Sequence, residues 1–182
     1  MEPADRPRLR VETLHVGGRP YFPRVIEHRG ETFELLRQLG FNTVYLPTPA
    51  TSEDLDEAQR QRLWLVCPPP DEVEQTRPDR PILAWFCGHE LSDHPQASLW
   101  TERLRRHDPG QRPLIAGAEH NQWVASRQVD ILVRRRLPIG TTMELSQFEP
   151  WLQSCTQLVR PGTPFWSTVQ TELSESVLQQ VE

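Results

Sequence analysis

Glutamates follow four of seven short apolar runs along the chain: Glu27, Glu90, Glu119 and Glu172. A pair of carboxylates at such places can divide hydrolytic work, one donating a proton and the other acting as nucleophile or base. His89 and His120 lie beside Glu90 and Glu119, a mixture of imidazole and carboxylate that could also ligate a metal. Arg134-Arg135-Arg136 could grip a carboxylate or phosphate. Each feature also has a plain structural account. Glu90 and Glu172 can be the acidic starts of helices, the histidines can be solvated, and the arginines can form a salt-bridged patch. Trp85, Trp123, Trp151 and Trp166 can be packing residues.

Composition removes other chemistries. All 20 basic residues are arginine, so neither a Schiff-base lysine nor a phosphate-loop lysine is available. Cys67, Cys87 and Cys155 lack CxxC spacing, which argues against structural zinc and reads as buried free thiols. No resident metal and no cofactor is expected. A net charge of −5 gives no basic footprint for nucleic acid or an anionic membrane. No apolar run reaches the ~20 residues of a membrane helix, and the polar start is unlike a signal peptide.

The elements that must position these residues alternate regularly. Seven stretches read as strands: 21–26, 42–46, 64–67, 81–88, 113–117, 131–133 and 164–169. Helices are expected over 31–39, 51–63, 95–107, 121–128, 144–158 and 172–181, with at most a short one in 71–80. Gly40 reads as a helix-ending glycine and Thr51 as a capping residue. The 18 prolines fall mostly at the edges of apolar runs, as punctuation. Residues 1–8 read as a disordered N-terminal segment, with a single domain over 9–182.

Strand–helix repetition calls for parallel strands joined by right-handed crossovers. Both a (β/α) barrel and an open doubly wound sheet satisfy it, but no GxGxxG turn follows a strand, which weakens a dinucleotide-binding fold. The chain is shorter than the roughly 200-residue lower bound for a barrel. The fold class expected is therefore α/β: a minimal or incomplete (β/α) TIM-type barrel of about seven parallel strands. Ligands of such folds bind beyond the carboxyl ends of the strands, where the four glutamates fall.

Several segments resemble clan A glycoside hydrolases, the retaining β-glycosidases and cellulases built on (β/α)8 barrels. Gly18-Arg19-Pro20-Tyr21-Phe22 is similar to their opening strand, and Leu36-Arg37-Gln38-Leu39-Gly40-Phe41-Asn42-Thr43-Val44 to their first helix and second strand. Ala84-Trp85-Phe86-Cys87-Gly88-His89-Glu90 resembles the fourth strand, which ends in the acid/base glutamate, and Pro164 to Glu172 stands where the seventh strand delivers the nucleophile. The resemblance spans residues 17 to about 172 in order. It implies Glu90 as general acid/base and Glu172 as nucleophile, with Trp85, His89, Trp166 and His28 as sugar-binding residues. The departures are His89 in place of the family's asparagine, the absence of an arginine after the second strand, and no clear eighth strand.

Two functions from different classes follow. One is retaining hydrolysis of glycosidic bonds, which needs the carboxyls about 5–5.5 Å apart. The other is a catalytically inactive barrel that binds carbohydrate or serves as a scaffold within a longer protein. A metal-dependent hydrolase using His89, His120 and Glu119 is a third reading, ranked below these two because no resident metal is expected.

Overall fold

The structure is a computed structural model that describes residues 6–91, 96–136, 138–139 and 143–171. The chain opens with a three-stranded antiparallel meander: β1 (Arg8–Arg10), β2 (Thr13–Val16) and β3 (Arg19–Pro20). The strands that follow are β4 (Val25–Glu27), β5 (Thr43–Tyr45), β6 (Trp64–Cys67), β7 (Ile82–Phe86), β8 (Leu114–Gly117), β9 (Ile131–Arg134) and β10 (Phe165–Ser167). They form one seven-stranded sheet in chain order, and every neighbouring pair is parallel. Sequential order with parallel pairing is the topology of a (β/α) barrel, in which each crossover returns the chain to the next position. The sheet curls into a half-barrel and is not a complete eight-stranded one.

The α-helices among the described residues are α1 (Phe33–Gln38), α2 (Ser52–Gln61), α3 (Ala97–His107), α4 (Gln122–Ala125) and α5 (Phe148–Gln157). Their ends follow local chemistry. Thr51 caps α2 in a reciprocal box: its hydroxyl accepts from the Asp54 N–H, and its own N–H donates to the Asp54 carboxylate at 2.8 Å. Beyond α1 the N–H groups of Gly40 and Phe41 return to the carbonyls of Arg37 and Leu36, which satisfies the last turn. Segment 71–80 holds only a 3-10 turn, Val73–Gln75. The expected strands all lie in the sheet. The expected helix at 172–181 lies outside the described residues.

The meander is the main departure from the sequence reading. Arg8, assigned to the disordered segment, already pairs with His15 in β1–β2. The weak alternation of 11–16 hides a strand whose neighbours are shorter still, and Val11, at φ 56°, sits in the turn between β1 and β2.

Two apolar layers flank the sheet. The outer layer joins Val44, Leu65, Ile82, Trp85, Leu114 and Leu132 of the strands to Phe33, Leu36, Ala58 and Leu104 of the helices. The inner layer joins Trp64, Val66, Leu83, Ala84, Phe86, Ile115 and Ile131 to Leu14 of the meander, with Leu9, Val16 and Tyr21 packed against it. The meander thus covers the concave side of the sheet near the amino ends of the strands. Tyr21 locks it there, its hydroxyl donating to the Asn42 carbonyl at 2.9 Å and lying 3.0 Å from the Thr43 hydroxyl. Asn42 adds a second tie. Its side chain accepts from the Arg24 N–H at 2.7 Å and donates to the Phe22 carbonyl at 3.0 Å.

One charged pair lies inside the outer layer. Asp108 accepts from the Trp85 indole N–H at 3.0 Å, from the backbone N–H groups of Gly110 and Arg112, and from the Arg112 guanidinium at 2.5 Å. Arg112 also donates to the Arg77 carbonyl at 2.7 Å and lies over the Trp85 ring at 5.2 Å. Both side chains are almost fully buried. Burial pushes the Arg112 pKa down, and the Asp108 carboxylate opposes the shift. Such a pair is costly to halve, because the remaining charge stays in a dry site. Asp108→Ala is expected to destabilise the protein by about 3–5 kcal/mol, read as a lower urea midpoint together with a change in tryptophan fluorescence.

Candidate functional site

The carboxyl ends of the strands form the wide mouth of the half-barrel. Inner-face side chains reach it in register, because Glu27 pairs with Tyr45 and Tyr45 with Val66. On β7 the alternation is broken. Leu65 pairs with Ile82 but Val66 pairs with Ala84, a bulge that leaves Leu83 extra. Leu83 and Ala84 therefore both face inward, and every later side chain of β7 changes face. Phe86 turns into the mouth and Trp85 turns outward.

The bulge assembles an aromatic group. Tyr45 and Phe86 meet edge-to-face with ring centroids 5.0 Å apart, and Phe86 and His89 at 4.9 Å. His89 also meets Tyr45 at 6.2 Å, its Nε2 lying 3.4 Å from the Tyr45 hydroxyl. Phe86 is buried, Tyr45 half-buried and His89 exposed. Burial raises the Tyr45 pKa, the Glu27 carboxylate raises it further, and the Arg135 guanidinium opposes both. Charges on β4 and beyond β9 therefore both act on this phenol, as the curl of the sheet requires.

Glu90 follows in the loop after β7, half-buried. Its Oε2 accepts from the Glu119 N–H at 2.6 Å, so the loops after β7 and β8 are tied together. Two glycines permit this. Gly88 turns the chain at φ 105° and accepts from the Gly117 N–H at 2.8 Å. At Gly117 a Cβ would overlap the His89 carbonyl oxygen, so only hydrogen fits there.

The other expected site residues fall elsewhere. Trp85 is 1% exposed and donates to Asp108 among the helices, so the expectation that it offers a face to a sugar is corrected. The bulge is the physical reason. His28, half-buried just after β4, packs its ring edge-on to Phe33 at 5.2 Å, with Nε2 2.9 Å from the Glu31 carbonyl. Trp166 is half-buried and packs against the inner layer. Glu172, the expected nucleophile, lies outside the described residues. Glu119 and His120 are exposed, and among the described residues no group of three His, Cys, Asp or Glu side chains is placed to hold a metal ion.

Tyr45 and Phe86 are the contributions that sequence reasoning missed. Both lie in runs read simply as buried strands, and Phe86 depends on a bulge that composition does not signal. The thiols are buried and unpaired. Burial pushes Cys67 up to about 11 and Cys87 to about 12, which keeps both protonated and unreactive near neutrality. A shallow groove between α3 and α4, lined by Thr101, Arg105, Val124 and Arg127, lies on the helical side, away from the mouth.

Fold and site together define an α/β half-barrel with an aromatic and charged mouth. The chain matches no protein-family model, and no curated protein shows significant sequence similarity to it.

The packing at Gly117 gives a direct test. Gly117→Ala is expected to push the His89–Glu90 loop away from β8 and to cost about 1–3 kcal/mol. The readout is a lower melting temperature, together with a crystal structure of the variant in which the Glu90 carboxylate no longer reaches the Glu119 N–H.

Proposed function

We propose that this chain is a carbohydrate-binding half-barrel whose ligand lies across the Tyr45–Phe86–His89 group. The observation that supports it best is the position of that group. A half-buried Tyr45 and an exposed His89 flank the buried Phe86 at the carboxyl ends of parallel strands, where ligands of this architecture bind. Sugar rings present apolar C–H faces and a rim of hydroxyls. An amphipathic aromatic flanked by charged side chains suits both, since Tyr carries a large apolar body and a polar tip. The resemblance of residues 17 to about 172 to clan A glycoside hydrolases points to the same ligand class. A glycan array followed by calorimetry tests the reading. His89→Ala removes an exposed ring and is expected to weaken the best ligand about tenfold, about 1.4 kcal/mol, with the melting temperature unchanged. Failure of the native protein to bind any glycan would overturn it.

A second reading is retaining hydrolysis with Glu90 as general acid/base and Glu172 as nucleophile. It is favoured by one observation: the Glu90 carboxylate is held in position at the mouth by the Glu119 N–H, next to the aromatic group. Positioning of that kind is what acid/base transfer across a glycosidic bond needs. In this reading Glu90→Gln abolishes turnover of glycosides with poor leaving groups and leaves the circular dichroism spectrum intact. Full activity in that variant would remove Glu90 from the role.

A further inference from the structure

Arg134, Arg135 and Arg136 do not act as one patch. The guanidinium of Arg134 lies 5.6 Å from the centre of the Trp151 ring and that of Arg136 lies 5.4 Å from it. Trp151 belongs to α5, so these two arginines share the helical side of the sheet. Thr168 N–H still bonds to the Arg134 carbonyl at 3.1 Å, so strand pairing persists as the chain leaves β9. Successive side chains of an extended segment point to opposite faces. Val133 faces the inner layer and Arg134 and Arg136 face α5, so the alternation assigns Arg135 to the side of the mouth, where its charge acts on the Tyr45 phenol.

There Arg135 is exposed, and among the described residues it forms no ion pair. Two carboxylates at the carboxyl ends of the strands have partners of their own. Glu27 has the Arg29 guanidinium at 3.8 Å, and Glu90 accepts the Glu119 N–H. A guanidinium that has no carboxylate of its own among the described residues, on the same side of the sheet as the Tyr45 phenol it acts on, is suited to bind a planar anion through two parallel N–H···O bonds.

We propose that Arg135 is the specificity-determining residue of the mouth and that it selects a carboxylate-bearing sugar, a uronic acid. This rests on the carbohydrate-binding reading and narrows it. The ring of the sugar lies on the Tyr45–Phe86–His89 group while its carboxylate pairs with Arg135. The overall charge of −5 makes selection of an anion a local effect, because the protein as a whole repels it.

The test uses galacturonate, glucuronate and mannuronate trimers, each beside its fully methyl-esterified form, and sulfated and neutral oligosaccharides of matching length. Calorimetry on the native chain is expected to show one uronate bound more tightly than its methyl ester. Arg135→Gln should lower that affinity about tenfold or more and bring it level with the ester. Arg136→Gln, on the other face, should leave it unchanged. Higher salt should weaken the uronate and not the ester. Preference for the sulfated ligand over every uronate would overturn the carboxylate assignment. Binding of neutral glycans with no response to Arg135→Gln would overturn this inference and leave the carbohydrate-binding reading standing. Binding of no sugar at all would overturn both.

Discussion

A curled parallel sheet with helices on one side has a second apolar face that water must not reach. In a closed barrel the strands cover that face for one another. Here seven strands leave it open, and the antiparallel meander supplies the cover, placing Leu14 among Trp64, Leu83 and Ile115 with Leu9, Val16 and Tyr21 around it. The rest of the molecule depends on this arrangement. It closes the amino-terminal end of the concavity and leaves the carboxyl-terminal end as the place where polar and aromatic side chains meet solvent. The Tyr21 and Asn42 hydrogen bonds fasten the meander's exit to the first two strands of the sheet.

The mouth is built by two local irregularities rather than by regular strands. The bulge in β7 exchanges the faces of Trp85 and Phe86, so one aromatic joins the Asp108–Arg112 pair while the other joins Tyr45 and His89. The close approach at Gly117 then lets the loop after β7 lie against β8, where Glu90 meets the Glu119 N–H. Large-scale architecture and fine placement are thus separate. The first follows from alternating strands and helices, the second from one extra residue and one missing Cβ.

That separation also marks what is legible in the sequence. Runs such as Trp64–Cys67 and Leu114–Gly117 are continuous and apolar, as strands covered on both faces must be, and their order with the helices leads to the parallel topology. Thr51 and Asp54 announce the start of α2 by type and spacing. The meander is hidden, because strands of two to four residues with exposed outer positions have little periodicity to read. Trp85 is misplaced for the same kind of reason. Strict alternation from Ile82 sends it inward, and only pairing with β6 reveals the slip. His28 is legible by its place after a strand, but its edge-on packing against Phe33 is not. The histidines and glutamates after β7 and β8 are legible as a group, since chain order alone brings those ends side by side.

Among the described residues the curled sheet has two boundary strands, β4 and β10. Each is three residues long, so each presents only a few outward peptide groups, too short a ladder to recruit further chains into a growing stack. Charge reinforces this at one boundary, where Arg24, Glu27 and Arg29 flank or belong to β4. Brevity at the margins limits what either edge can offer to another strand.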